Sequence, residues 1–173
     1  MEIQSVVVGG GPVASLVVLS TQEGLPGEAA LQLPIRIGSV EATSITMGVR
    51  ERSGSRPMTH DLLCSTIEAL GARCASVRIM GVQGTTFFAQ LELITATGEH
   101  VYVDSRPSDA IAIAVRENVA VYADESVLAT AALPDFRRVE QDEKAHELEE
   151  FHDFVEGLNP EDFNVAPGEK DTE

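Results

Sequence analysis

The sequence predicts an α+β fold: a mixed, largely antiparallel sheet with buried helices in one compact domain, followed by a C-terminal helical tail. Three observations carry this. ASVRIMGV (75–82), TTFFAQLELIT (85–95) and HVYVD (100–104) read as strands, with turn residues at Gly84 and Thr97-Gly98 between them, so they form an antiparallel meander. Residues 109–117 place Ala110, Ile111, Ala112, Ile113, Ala114 and Val115 on every face of a helix, and a helix apolar all round must be sandwiched between other elements. The segment 139–173 changes character, with Ala145, Leu148, Phe151, Val155 and Leu158 on one helical stripe and Glu and Asp elsewhere.

The remaining elements follow from local signals. EIQSVVV (2–8) and VASLVVLS (13–20) are strands joined by the turn Gly9-Gly10-Gly11-Pro12. That triple glycine lacks the Gly-Lys-Ser/Thr ending of a phosphate loop, and no helical pattern follows it. Residues 21–30 are a loop. LQLPIRIG (31–38) is a short strand in which Pro34 implies an edge or a bulge. Residues 39–51 fit both periods. Ser39 as N-cap and Glu41 in the first turn favour helix. After the loop 52–57, Thr59 caps a helix running to Leu70, its apolar stripe being Leu62, Leu63, Ile67 and Leu70. Gly71 ends it from the C′ position. Ser108 caps the helix 109–117, VAVYA (119–123) is a strand, and Asp124 caps a short helix, 125–131. In the tail, Asn159-Pro160 reads as a fresh helix start; beyond Phe163 we expect disorder. The domain boundaries expected are therefore 1–131 for the compact domain and 132–173 for the acidic extension.

Composition narrows the function. Hydrophobic residues make up 43% of the chain and aromatics only 5%, which fits a core of Val, Ile, Leu and Ala. No apolar run reaches the roughly 20 residues of a membrane span, and MEIQSVVVGGG lacks the basic start of a signal peptide, so a cytoplasmic chain is expected. Cys64 and Cys74 match no common zinc spacing; buried reduced thiols are the reading. The net charge is −16, and 13 of the 28 acidic residues lie in 139–173, together with both lysines. Such a chain does not attract phosphate backbones through its overall field. A nucleic-acid role needs a local Arg cluster, a metal or an oligomeric groove.

Two clusters can carry chemistry. Asp104, Arg106, Ser108 and Asp109 stand at the mouth of the apolar helix; Arg56, Thr59, His60 and Asp61 stand at the start of the earlier one. Capping and the helix dipole account for Ser108, Thr59 and one carboxylate in each. The remaining groups resemble a phosphate site beside metal carboxylates. Helix N-termini bind anions, and Asp61, Asp104 and Asp109 are hard ligands suited to Mg²⁺ or Mn²⁺. Ser55-Arg56-Pro57 and Ser105-Arg106-Pro107 echo one another fifty residues apart, and Arg50, Arg52 and Arg56 form the one local basic patch.

LPIRIGSVEATSI, SRPMTHDLL, TTFFAQLEL and VDSRPSDAIAIAVRE, in that order and spacing, resemble successive motifs of the bifunctional nuclease domain family. The resemblance covers residues 2–131, and the tail is similar to the extension of actinobacterial-type members. It implies an α+β intracellular protein that assembles as a homo-oligomer and cleaves both RNA and DNA. The matching motif residues are Arg56, Pro57, Thr59, His60, Asp61, Asp104, Arg106, Pro107, Ser108 and Asp109. The chain departs from the family pattern at Arg36, where Trp is common, and at Ala120, where Pro often opens the strand.

The leading expectation is a nuclease. In it His60, Asp61, Asp104 and Asp109 are catalytic, Arg56, Arg106, Ser108 and Thr59 hold substrate, and the three aspartates hold the cation. The alternative is a non-enzymatic oligomeric adaptor that binds a protein partner through its acidic amphipathic tail. A third reading, a small-anion or nucleotide sensor, uses the same helix starts.

Overall fold

The computed structural model describes residues 1–9, 14–21, 30–49 and 56–134. Within them the chain is α+β, as expected. The first compact unit is Met1–Asp135. The expected tail helices, the glycine turn and the arginines Arg50 and Arg52 lie outside the described residues.

The strands divide between two sheets. In the first, β1 (Glu2–Val7), β2 (Ser15–Ser20) and β3 (Leu31–Ile37) pair antiparallel in sequence order. A short β8 (Leu133–Pro134) then joins the free edge of β3, which carries the first unit past residue 131. Pro34 sits opposite Val18 without breaking the register. In the second sheet the order is β6 (His100–Ser105), β5 (Thr86–Ile94), β4 (Arg73–Gln83) and β7 (Ala120–Ala123), with β7 parallel to β4. The meander expected from sequence is therefore β4–β5–β6. Bulges lie between Cys74 and Ser76 and between Ile79 and Gly81.

The helices are α1 (Ser39–Val49), α2 (Thr59–Ala69), α3 (Pro107–Glu117) and α4 (Glu125–Ala131). The segment with mixed periodicity is the helix α1, burying Ala42 and Ile45. The helix α3 packs against β4, β5 and β7 and against α1 and α2. Burial of Ala110 through Ala114 in succession confirms that it is sandwiched. Both sheets feed one core, through Val17, Leu19 and Ile35 from the first and Val77, Ile79 and Leu91 from the second.

Three expected caps move. The first intrahelical bonds run from Ala42 N–H to the Gly38 carbonyl, from Leu62 to Met58 and from Ala110 to Arg106. Gly38, Met58 and Arg106 are thus the N-caps. Ser39 and Thr59 are first helical residues, and Ser108 follows Pro107, which holds the N1 position that tolerates a missing N–H. The ends are closed as the glycines suggest: Gly71 has φ +75° and donates to Glu68 while Ala72 donates to Ile67, a Schellman arrangement. Asn118 ends α3 in the left-handed region with φ 52°.

The apolar stripe expected on α2 is overturned. Leu62, Leu63 and Leu70 are exposed, and Cys64 is the residue of this helix that is buried. Side chains spaced by four and three, His60, Cys64 and Ile67, are instead the better-covered row. The reason is polar: the His60 and Asp61 side chains bond to α3, and those bonds fix which side of α2 faces inward.

Candidate functional site

The two helix starts meet. His60 Nε2 lies 3.1 Å from Asp109 Oδ1, joining the first turn of α2 to the first turn of α3. Arg106 grips the same carboxylate with two bonds, Nε to Oδ2 at 2.8 Å and Nη2 to Oδ1 at 3.2 Å. Its Nη1 donates to Glu41 Oε1 in the first turn of α1 at 3.1 Å. Three helix N-termini are therefore tied by one chain of groups, His60–Asp109–Arg106–Glu41. A Cβ on Gly38 would overlap the Glu41 carboxylate, so the glycine lets that side chain fold back toward Arg106.

Asp109 is pulled two ways. Partial burial disfavours its charge, but hydrogen bonds from Arg106 and His60 and the charge of Arg106 outweigh this, holding the carboxyl below the usual carboxylate range. With Asp109 ionised, His60 donates from Nε2, which leaves Nδ1 as the ring's basic nitrogen. The imidazole is largely buried, with 15% of its side chain exposed.

Asp61 does something else. Its Oδ2 accepts from the Met58 N–H at 2.9 Å, inside the helix start, and its Oδ1 accepts from Arg116 Nε at 2.8 Å. The side chain of Arg116 is only 3% exposed, and its Nη1 donates to the carbonyls of Ser44 and Ala112. Asp61 is the counter-charge of a buried cation that fastens α1, α2 and α3 together. Sequence reasoning missed Arg116; the signal was a lone cation in the last turn of an otherwise apolar helix.

Asp104 stands apart from both. Val103 and Ser105 share the inner face of the second sheet with Leu91 and Ala89, whereas Asp104 pairs with Gln90, itself opposite Arg78, on the outer face. Strand alternation thus puts the sheet between Asp104 and the helices. The expected ligand set of Asp61, Asp104 and Asp109 is not brought together. Among the described residues no three His, Cys, Asp or Glu side chains converge to hold a metal. The residues present do not fit a self-contained site for Mg²⁺ or Mn²⁺. Thr59 and Arg56 are exposed at the start of α2, and Ser108 is buried in α3 with 6% of its surface exposed.

Glu41 was missed as well, having been read only as a helix-dipole residue of α1. With Arg36, Arg106, Ser108, Thr86 and Phe87 it lines a cavity of about 350 Å³ between the end of β3, the β4–β5 turn and the mouth of α3.

The DSRPSDA and RPMTHDL segments that build this junction lie inside residues 17–135, which match the model of the bifunctional nuclease domain. The chain belongs to that family. Two uncharacterized proteins of Mycobacterium tuberculosis, one from strain CDC 1551 and one from strain H37Rv, are each 40% identical to it over 142 residues, covering 78% of this chain and 82% of theirs. The bifunctional nuclease domain here has no helix among its described residues long and apolar enough to cross a membrane.

Proposed function

We propose that the chain is a nuclease that hydrolyses phosphodiester bonds of RNA and DNA at the junction of α2 and α3. The observation that supports it best is the His60–Asp109 contact at 3.1 Å, with Arg106 on the same carboxylate. An imidazole held by a carboxylate is suited to proton transfer. His60 Nδ1 takes a proton from the attacking water as its oxygen bonds to phosphorus, Asp109 stabilises the imidazolium that forms, and the P–O bond to the leaving oxygen breaks as solvent water protonates that oxygen; the imidazolium then returns its proton to solvent. Arg106 is half free of the protein, with 65% of its side chain exposed, and offers a guanidinium to a phosphate. Arg56, exposed at the start of α2, and Thr59 face the same substrate in this reading.

No step is routed through Mg²⁺ or Mn²⁺, because the aspartates do not converge; metal dependence is a variable of the test. Labelled single-stranded and duplex RNA and DNA are incubated with the purified chain in Mg²⁺, Mn²⁺ or EDTA, beside His60→Ala and Asp109→Asn. Cleavage should fall by at least about a hundredfold in both variants, the usual contribution of a positioned acid–base group, with circular dichroism unchanged. Equal cutting by folded variants would remove His60 and Asp109 from the chemistry. No cutting by any of the three would leave the non-enzymatic adaptor as the better reading.

A further inference from the structure

The cavity at the mouth of α3 has unfilled hydrogen-bonding capacity. Ser108 lines it and is more than nine-tenths buried, yet among the described residues its hydroxyl has no hydrogen-bond partner. Its N–H, at the second position of an eleven-residue helix, has no intrahelical acceptor. Ser105, just before this helix start, buries a hydroxyl with no partner, outside the lining of the cavity. The Ser108 hydroxyl, unlike that of Ser105, reaches the cavity space, where a ligand can complete its hydrogen bonding. Two cations also line the cavity, Arg106 and Arg36. Arg36 has no ion pair among the described residues and is exposed on β3.

We propose that this cavity binds the phosphate group of one nucleotide of a nucleic-acid strand, with Ser108 donating from its N–H and O–H and Arg36 and Arg106 clamping the oxygens. This rests on the nuclease reading and names the subsite beside the reacting phosphate. The helix N-terminus and the two guanidiniums favour an anion there. Glu41 acts as a placeholder. Its carboxylate lies 3.1 Å from Arg106 Nη1, where a phosphate oxygen would sit, and it yields Arg106 to the incoming group. Asp109 keeps the other edge of the guanidinium, so Arg106 stays oriented. The volume, about 350 Å³, is at the small end of ligand pockets, which suits a mononucleotide unit. Ile37, Phe87 and Pro107 offer apolar wall for its sugar or base.

The test is calorimetric titration of the full chain with AMP, UMP, inorganic phosphate and adenosine. The nucleotides should bind, and adenosine should bind at least about tenfold more weakly, since a lost charge-assisted hydrogen bond is worth about that factor. Ser108→Ala and Arg36→Ala should each weaken AMP by about fivefold to tenfold, while Glu41→Gln should tighten it a few-fold. Neither nucleotide binding, or binding indifferent to all three substitutions, overturns the proposal. Circular dichroism of each variant separates a lost site from a lost fold, and Glu41→Gln, whose predicted effect is a gain, cannot be mimicked by unfolding.

Strand and free nucleotide are told apart with the non-cleaving His60→Ala protein and a labelled pentanucleotide. Displacement of the strand by AMP supports the subsite; AMP binding without displacement overturns its assignment to the strand. Cleavage by the wild-type protein without nucleotide binding sinks the subsite alone. Nucleotide binding with the expected variant pattern but no cleavage sinks the nuclease reading alone.

Discussion

Arg116 and Asp61, fifty-five residues apart, form an ion pair at 2.8 Å in which the arginine is almost wholly buried and the aspartate is one-fifth exposed. The asymmetry sets the cost of breaking it. Asp61→Ala strands a buried guanidinium and should destabilise the fold by about 3 kcal/mol, the low end for a broken buried pair. Arg116→Met leaves an aspartate that can reach water and a side chain that packs, so its cost should be smaller. Urea unfolding of the two single variants and the double variant measures this. A larger loss in Arg116→Met than in Asp61→Ala would mean that the carbonyl contacts of Arg116, not the ion pair, hold the helices.

Gly48 belongs to the same junction. A Cβ there would lie 2.7 Å from Arg116 Nη1 and 3.2 Å from Val115 Cγ1. Alanine normally gains about 1 kcal/mol over glycine inside a helix, but overpacking costs about 1–3 kcal/mol. Arg116 is a flexible side chain pinned by three hydrogen bonds, so it cannot step aside freely. Gly48→Ala should therefore destabilise the wild-type protein and become neutral or stabilising on Arg116→Ala. A double-mutant cycle with no coupling would show that the arginine yields without cost.

These two pairs mark what the sequence could and could not convey. The meander was legible because β4, β5 and β6 carry alternation and turns locally, and α3 was legible because an all-apolar helix has one possible environment. The helix starts Asp61 and Asp109 were located correctly, but their roles depend on Arg116, Arg106 and His60 across spans of up to fifty-five residues, which no periodicity encodes. The stripe on α2 misled for the same reason: Leu62, Leu63 and Leu70 outweigh His60 and Cys64 in hydrophobicity, yet two polar bonds to α3 choose the other side. Asp104 was within reach of sequence reasoning. Alternation with Val101 and Val103 already placed it on the face away from the helices. The division of the strands into two sheets depends on β7 and β8, short strands whose partners lie far away in the chain.

Acid should weaken the α2–α3 junction. Asp109 titrates below its ordinary value in the folded state, so the unfolded chain binds its proton first as pH falls. The stabilisation is complete above the unfolded value, near 4, and is lost as pH drops through the depressed folded value. Glu92 acts in the same direction: hydrogen bonds from Ser76 and then His100 hold its carboxyl low. Urea midpoints between pH 6 and pH 2 should fall, and Asp109→Asn should flatten that fall without changing its sign. An acid limb as steep in Asp109→Asn as in the wild type would assign it to Glu92 and other carboxylates.

Cys64 and Cys74 should be unreactive in the native protein. Both are buried, reduced thiols set around the same small cavity of about 130 Å³. Burial, reinforced by the negative charge of Glu117, pushes the Cys74 thiol up to about 11. At pH 8 about one molecule in a thousand then carries the Cys74 thiolate, the species that reacts. Cys64 is 4% exposed, so attack on either sulfur waits for α2 to lift from β4. A thiol-disulfide reagent at pH 8 should label neither residue within minutes, and both at once in denaturant. Labelling rates that rise with sub-denaturing urea would place the opening at α2, while rapid labelling of one equivalent in native buffer would mean that this helix is held less tightly than its bonds to Arg116 and Asp109 imply.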